Sequence, residues 1–408
     1  MTRYGRSLWI DRFPKSRIQS SPRHKGHLDT DVVIVGGGLT GCATAYAFAA
    51  AGVTVVLLEA ERLGQGMSGS STGWISDTPG SSFHQIEAAV GLRAARHGWQ
   101  AWRRAALDFS ALVRRLNLRC RSESAATLTI ARTADQAKTL ARELNARKAA
   151  GIEASGLSGR LATRAAGIAA ASAVRSRDGA TLDPYRAAVG LASAAVARGA
   201  VVFEQSPVTK IRFGAKAVDV QTGRGTVRAD RVIVATGRPT PLCKSLIRHF
   251  WYHSAFVAVS DPIPANVRRT LGPSGHVLID SAEPRHLIRW VDDDRLLIAG
   301  ADSAAVPDRL RAKTIVQRTG QLMYELSTLY PDISGIAPAH GWEVRYARTS
   351  DNLPYIGPHR NFPRHLFAFG SASHSVTDAY LASRVLLRHY LDRAEPADEV
   401  FGFTTARL

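Results

Sequence analysis

Gly36, Gly38, Gly41 and Glu59 stand at the spacing of a dinucleotide-binding turn, G-x-G-x-x-G followed by an acid at the end of the next strand. Glycine at these positions lets the backbone turn tightly, approach a pyrophosphate and seat a helix on a sheet. The helix that starts there offers free N–H groups and a positive dipole end to phosphate oxygens. Glu59 lies where a carboxylate accepts hydrogen bonds from an adenosine ribose. That chemistry suits NAD and FAD alike.

The elements that must position these residues surround them. Residues 32–35 are an apolar run that predicts a buried parallel strand, an alanine-rich helix follows the glycines, and residues 53–58 predict a second strand. Residues 61–82 are rich in Gly and Ser and predict a long loop, a feature usually kept for function. Residues 84–118 have the spacing of one or two amphipathic helices, 125–131 of a strand and 133–150 of a charged helix, whereas 160–180 are irregular. Asp183 is a plausible N-cap with Pro184 at the first helical position. Strands are expected at 201–204 and 231–237, and 250–300 read as successive strands of a more antiparallel sheet. A helix near 307–330, a strand at 365–370 and a helix near 377–393 follow, while residues 1–27 suggest an arm over the surface.

The expected class is α/β, or α+β overall: a Rossmann-like dinucleotide domain made of 1–83, 151–240 and 335–408, with a second, mostly antiparallel β-sheet substrate domain from 84–150 and 241–334 flanked by helices. A chain of 408 residues suits two domains. No uncharged apolar run has the length and character of a membrane span, and the N-terminus has no apolar signal core. Three scattered cysteines, Cys42, Cys120 and Cys243, make neither a disulfide framework nor a metal site, so a cytoplasmic setting is expected. The formal charge of +19 could attract polyanions, yet the basic residues are dispersed with no five-residue block. A solvated arginine-rich surface is favoured over a nucleic-acid face. There is no C-x-x-C, H-E-x-x-H, G-x-S-x-G or Walker loop, which removes metal and hydrolase chemistry.

Taken in order, the Rossmann opening, TLDPYRAAVGL…ARGAVVFEQSPV, RVIVATG and TSDNLPYIG followed by LFAFG resemble the D-amino-acid oxidase-like family of FAD-dependent oxidoreductases. That group includes glycine and sarcosine oxidases, D-amino-acid dehydrogenases and γ-glutamylputrescine oxidase, and SLWIDRFP before the first strand looks most like the last. The resemblance implies non-covalent FAD, since no cysteine follows Cys243. It implies oxidation of the C–N bond of an amine or amino acid by hydride transfer to flavin N5, giving an imine that hydrolyses, with oxygen or an electron carrier as acceptor. Gly36, Gly38, Leu39, Thr40 and Gly41 match the pyrophosphate turn, and Glu59 with Ala60 the ribose contact. Gly66, Ser68 and the run Ser70, Ser71, Thr72, Gly73 and Trp74 match the loop beside the flavin, Val208 the adenine contact and Gly237 the strand end under the cofactor. Gly370 and the stretch Ser373, His374, Ser375, Val376 and Thr377 match the loop at the flavin's pyrimidine edge.

This chain departs from the family at that flavin end. Ser70 to Gly73 replace an Arg-Asn-Gly-Gly-like run, and Ser373, Ser375 and Ser383 replace common glycines. Serine is tolerated where φ is negative and strained where φ is positive. At the position of the family's carboxylate-gripping arginine stands Tyr346. Strand alternation puts Arg348 on the face of Tyr346 and Arg345 on the opposite one, so Arg348 is the displaced clamp candidate and an amine is favoured over a simple α-amino acid. His374 is a candidate at the flavin edge; Tyr252, His253, His286, Arg289 and Trp290 are candidates to line an amine pocket, Trp74 to cover the cofactor and Trp342 to wall the pocket. Two alternatives stay open: a flavoprotein acting in tRNA modification, and a flavin-binding protein with little turnover.

Overall fold

Val32, Val33 and Ile34 are fully buried because both faces of their strand are covered. The computed structural model describes residues 1–14, 16, 20–273, 275–370, 375–404 and 407. In it the strand Gly26–Val35 is central to an eight-stranded sheet. Val55–Leu58 and then Val201–Phe203 run parallel on one flank, and Gly225–Gly237 runs parallel on the other. The first half of Gly225–Gly237 pairs antiparallel with Val218–Thr222, and its second half pairs parallel with Phe362–Phe369. Helices Leu39–Ala50, Pro184–Val196 and Thr377–Tyr390 cover one face. Their contacts are made by alanines such as Ala43, Ala47, Ala188, Ala192 and Ala382, whose small side chains let helices approach closely while removing apolar surface from water.

A nine-stranded sheet makes the second layer, in the order Arg3–Tyr4, Pro338–Arg348, Trp251–Ser260, Arg295–Ala304, Leu287–Val291, His276–Asp280, Ala126–Ala131, Ser172–Ser176 and Ser155–Ser158. Alternation divides its side chains. Phe256, Ala258 and Ile298 pack under the helix Asp308–Leu329, whereas Ala255, Val257, Trp342 and Val344 face the first layer.

Backbone pairing differs from the expected division in three places. Residues 155–158 and 172–176 join the nine-stranded sheet, as do Pro338–Arg348 and Arg3–Tyr4, although sequence placed all of these with the dinucleotide domain. Their sheet is set by partners in other segments of the chain, from 14 to more than 300 residues away, which local periodicity cannot register. The stretch read as irregular therefore holds the helix Gly159–Ala166 and a strand. Nor is the N-terminal segment only a surface arm: Leu8 and Trp9 are buried. Residues 84–118 form two helices, Phe83–Val90 and Leu92–Arg115, because Gly91 between them has φ +81°. The expected loop 61–82 contains a helical turn, Met67–Ser70, and a short strand, Trp74–Ile75.

Candidate active site

The turn after Val35 is built for backbone approach. Gly36 has φ +108°, and a Cβ there would stand 2.7 Å from the carbonyl oxygen of Ala235; one at Gly41 would stand 1.8 Å from that of Gly36. The helix Leu39–Ala50 starts at Gly38 with no side chain capping it. One of its first N–H groups, on Leu39, donates to Ser68 Oγ at 2.7 Å. Glu59 accepts from Gly37 N at 2.6 Å on one carboxylate oxygen and from Glu61 N at 2.8 Å on the other, which leaves a lone pair on each oxygen for a ribose hydroxyl. Burial pushes this carboxyl above its ordinary range, against those two N–H bonds. A helix start with no side chain at its own N-cap, a glycine cradle that any Cβ would fill and a half-buried carboxylate acceptor fit the diphosphate and ribose of FAD.

From this helix start a cavity of about 630 Å³ runs toward the nine-stranded sheet. Of the residues matched to the cofactor, Leu39, Thr40, Ser68, Ser71, Trp74 and Gly237 line it, and Gly370, Ser375 and Val376 line its far side. Gly237 and Gly370 are joined by a Gly370 N–H bond of 3.0 Å to the Gly237 carbonyl, and both have positive φ. Ser375 Oγ accepts from Ser76 N at 3.2 Å and from Thr377 N at 3.1 Å, and Val376 N donates to Trp74 O at 2.8 Å. The two flavin-side loops are thus laced together. Ser70, Ser71, Thr72, Ser375 and Ser383 all avoid positive φ, and the one left-handed position in the first loop, φ +71°, is Gly73. Among the described residues, serine replaces glycine only where it costs no backbone strain.

Other matched residues stand outside the cavity wall. Gly36, Gly38, Gly41, Glu59 and Ala60 make the turn that leads to it, Gly66 caps the turn Met67–Ser70, and Thr72, Gly73 and Thr377 lie behind the wall. Val208 begins an outer strand opposite Thr222. Ser373 and His374 lie outside the described residues.

On the substrate side the sheet brings Val344, Tyr346 and Arg348 to the cavity, the face that alternation assigned to the last two. Arg345 turns away to Asp308 and Glu343. Arg348 is exposed and donates to Asn352 Oδ1. Tyr346 donates its hydroxyl to Asp302 Oδ1 at 2.6 Å, and burial together with that carboxylate raises the phenol above its ordinary pKa. Asp302 is the site residue that sequence reasoning passed over. It sits in a bulge, marked by φ +53° at Ala301 and a register shift opposite Ser254 and Phe256, that re-aims its side chain; a polar residue inside GADSA was the only signal. Tyr252 and His253 do not line the cavity: Tyr252 donates to Pro239 O at 3.2 Å toward the first layer, and His253 lies beside Tyr346 with ring centroids 5.7 Å apart and planes tilted by 32°. His286 lines the cavity, with Nδ1 at 2.6 Å from Asp280 and Nε2 at 3.0 Å from Glu325. Burial lowers its pKa, but the two carboxylates outweigh burial and hold it above the ordinary value. Trp74 lines the cavity, whereas Trp342 and Arg289 stand behind it.

Cys42, Cys120 and Cys243 are buried free thiols, and burial pushes Cys120 up to about 12 and Cys243 to about 11. They are packing residues. No group of residues able to hold a metal ion occurs among the described residues, and no helix there is long and apolar enough to cross a membrane.

Comparison with known proteins agrees with this geometry. The chain is 26% identical to the γ-glutamylputrescine oxidoreductase of Escherichia coli (strain K12) over 372 residues, covering 90% of this chain and 85% of the relative. It is 24% identical to the glycine oxidase of Geobacillus kaustophilus (strain HTA426), covering 92% of this chain and 97% of that one. The crystal structure of glycine oxidase from Geobacillus kaustophilus superposes with a TM-score of 0.77 at 20% identity, over 93% of this chain and 99% of the other, and so shares its fold. The family model described as FAD dependent oxidoreductase matches residues 31–388, across the glycine turn, the cavity and both sheets, and the chain belongs to that family.

Proposed function

We propose that this FAD-dependent oxidoreductase oxidises the C–N bond of an amine that lacks an α-carboxylate, with Asp302 and Tyr346 receiving the nitrogen end. When bound, FAD supplies the two-electron acceptor for a hydride from the carbon next to nitrogen, and the resulting imine hydrolyses in water. The observation that carries the substrate class is the Tyr346–Asp302 pair on the cavity wall, where a bidentate cation would suit a carboxylate. A carboxylate there attracts an ammonium and repels a substrate acid group, and the ammonium proton passes to Asp302 or to water so that the neutral amine is the form that gives up hydride. Asp302 accepts an N–H of the substrate and so orients its donor carbon, and the apolar wall of Trp74, Val344 and Ile356 excludes water from the neighbouring volume. Arg348, at the mouth, is placed to meet a distal polar group.

In this reading the parallel sheet and its helices hold the cofactor and the nine-stranded sheet holds the substrate. The electron acceptor is dioxygen or a carrier, and the compartment is the cytoplasm, which suits three buried thiols. The test is an anaerobic titration of the FAD-loaded protein with primary amines, N-substituted amines and α-amino acids, followed at the flavin absorption band. Bleaching by amines at concentrations where amino acids are inert supports the proposal. The reverse order rejects the substrate class, and failure of the purified protein to take up FAD rejects the cofactor reading. Re-oxidation by air or only by an added quinone then separates oxidase from dehydrogenase.

A further inference from the structure

Successive backbone carbonyls from Gly69 to Trp74 each accept a hydrogen bond from outside their own segment. The donors in order are Ser7 Oγ, Trp342 Nε1 at 2.7 Å, Trp9 Nε1 at 2.8 Å, Arg289 Nε at 2.9 Å, and the backbone N–H groups of Leu182 and Val376 at 2.8 Å each. The side-chain donors all belong to the N-terminal segment or to the strands Leu287–Val291 and Pro338–Arg348 of the nine-stranded sheet. None comes from the parallel sheet that carries the glycine turn. From Gly69 to Gly73 the segment, Gly-Ser-Ser-Thr-Gly, carries no large apolar side chain, and Trp74 at its end packs into the core, so these bonds fix the course of the five residues before it.

Arg289 is the unusual member. It is 5% exposed, and among the described residues its guanidinium donates only to the carbonyls of Thr72, Leu182 and Trp290, while lying 5.1 Å from the Trp9 ring centroid. Among the described residues no carboxylate stands within ion-pair distance of it. A buried cation without an ion pair is costly, and burial pulls it down to about 10. Its fork geometry spans the carbonyls of Thr72 and Leu182, on either side of Gly73, which a single ammonium would not match. Packing alone would be served as well by an apolar residue.

We propose that Ser7, Trp9, Arg289 and Trp342 are positioning residues for the cofactor: by holding these carbonyls they set the conformation in which Ser71 and Trp74 face the cavity, so that the flavin-side loop is registered to the substrate sheet. This rests on FAD being the cofactor and is independent of the substrate class. The test is titration of the apoprotein with FAD, read by quenching of flavin fluorescence and by the visible absorption and circular dichroism of the bound flavin, with thermal unfolding of the apoprotein alongside. Trp9→Phe and Trp342→Phe keep a ring and remove one N–H, and each is expected to raise the FAD dissociation constant roughly 5-fold. Arg289→Met is expected to raise it at least ~10-fold and to shift the flavin band, with Arg289→Lys recovering part of the loss. Native affinity and spectrum in both Trp→Phe variants overturns the proposal, as does a lower melting temperature with an unchanged dissociation constant. If Arg289→Met does not fold, the two Trp→Phe variants decide. None of these readouts needs a substrate, so an error in the proposed amine chemistry leaves them intact.

Discussion

In the proposed function, Tyr346 and Asp302 set the substrate class at the level of single side chains. Asp302→Asn removes the charge and keeps the shape, so KM for an amine substrate should rise about 10- to 100-fold with FAD affinity unchanged. Steady-state kinetics on the loaded protein checks this, and a KM within twofold of wild type would contradict the assigned role. His286 makes a separate prediction. Its folded pKa is raised above the unfolded value, so the stability it contributes is complete below about pH 6.5 and is lost as pH rises through the folded pKa. Thermal melts across that window should decline more steeply for wild type than for His286→Gln. At the glycine turn, Gly41→Ala drives a methyl into a carbonyl at 1.8 Å and should destabilise the protein by about 3 kcal/mol, with loss of FAD binding. Much of this site could be read in the chain itself. The turn residues and Glu59 follow from spacing, which is local, whereas Tyr346 follows from the family resemblance and Arg348 from alternation relative to it. Asp302 does not, because a bulge reversed its side chain, and neither does Trp9, whose partner carbonyl lies in another segment of the chain.

Among the elements, the helix Ala134–Ala149 does more than cover a sheet. Its Glu143 carboxylate accepts from Phe83 N at 2.7 Å and His84 N at 3.3 Å, and so caps the helix Phe83–Val90 from outside. The same carboxylate receives Arg147 Nε at 2.7 Å, and Arg147 lies over the Trp99 ring. Both charged groups are buried. Glu143→Ala leaves the arginine unpaired in the core and frees two helix N–H groups, which should cost about 3 kcal/mol in denaturant unfolding. A loss below about 0.5 kcal/mol would mean that water replaces the carboxylate there. Sequence reading placed this helix by its charged pattern over 133–150, yet its role as a cap for a neighbour was invisible, since the two are joined only in space. The long strands and helices were legible for the same reason that short strands such as Ser155–Ser158 were not: a strong period needs several residues on one face.

For the whole molecule the decisive feature is that the chain passes repeatedly between the two sheets. The parallel layer uses residues 26–58, 201–237 and 355–369, and the nine-stranded layer uses 3–4, 126–176 and 251–348. No single cut yields either layer complete. A fragment of residues 1–250 should therefore neither melt cooperatively nor bind FAD, as gel filtration and flavin fluorescence would show; a yellow, monomeric fragment would refute this. The +19 charge is a whole-molecule property too. As a dispersed surface it should give only weak retention on immobilised tRNA, lost by about 0.15 M salt.

The ring of donors around residues 69–74 also sets an order in time. Ser7 and Trp9 are made early, but their partners in the loop are fully held only once Leu182, Arg289, Trp342 and Val376 have been made and brought together. Contacts of such sequence separation close slowly. During synthesis the glycine turn can form within its own strand–helix–strand unit, while the flavin end must wait for most of the chain. The nucleotide half of FAD thus has a foothold long before the flavin does, and loading becomes a late event that reports on completed folding.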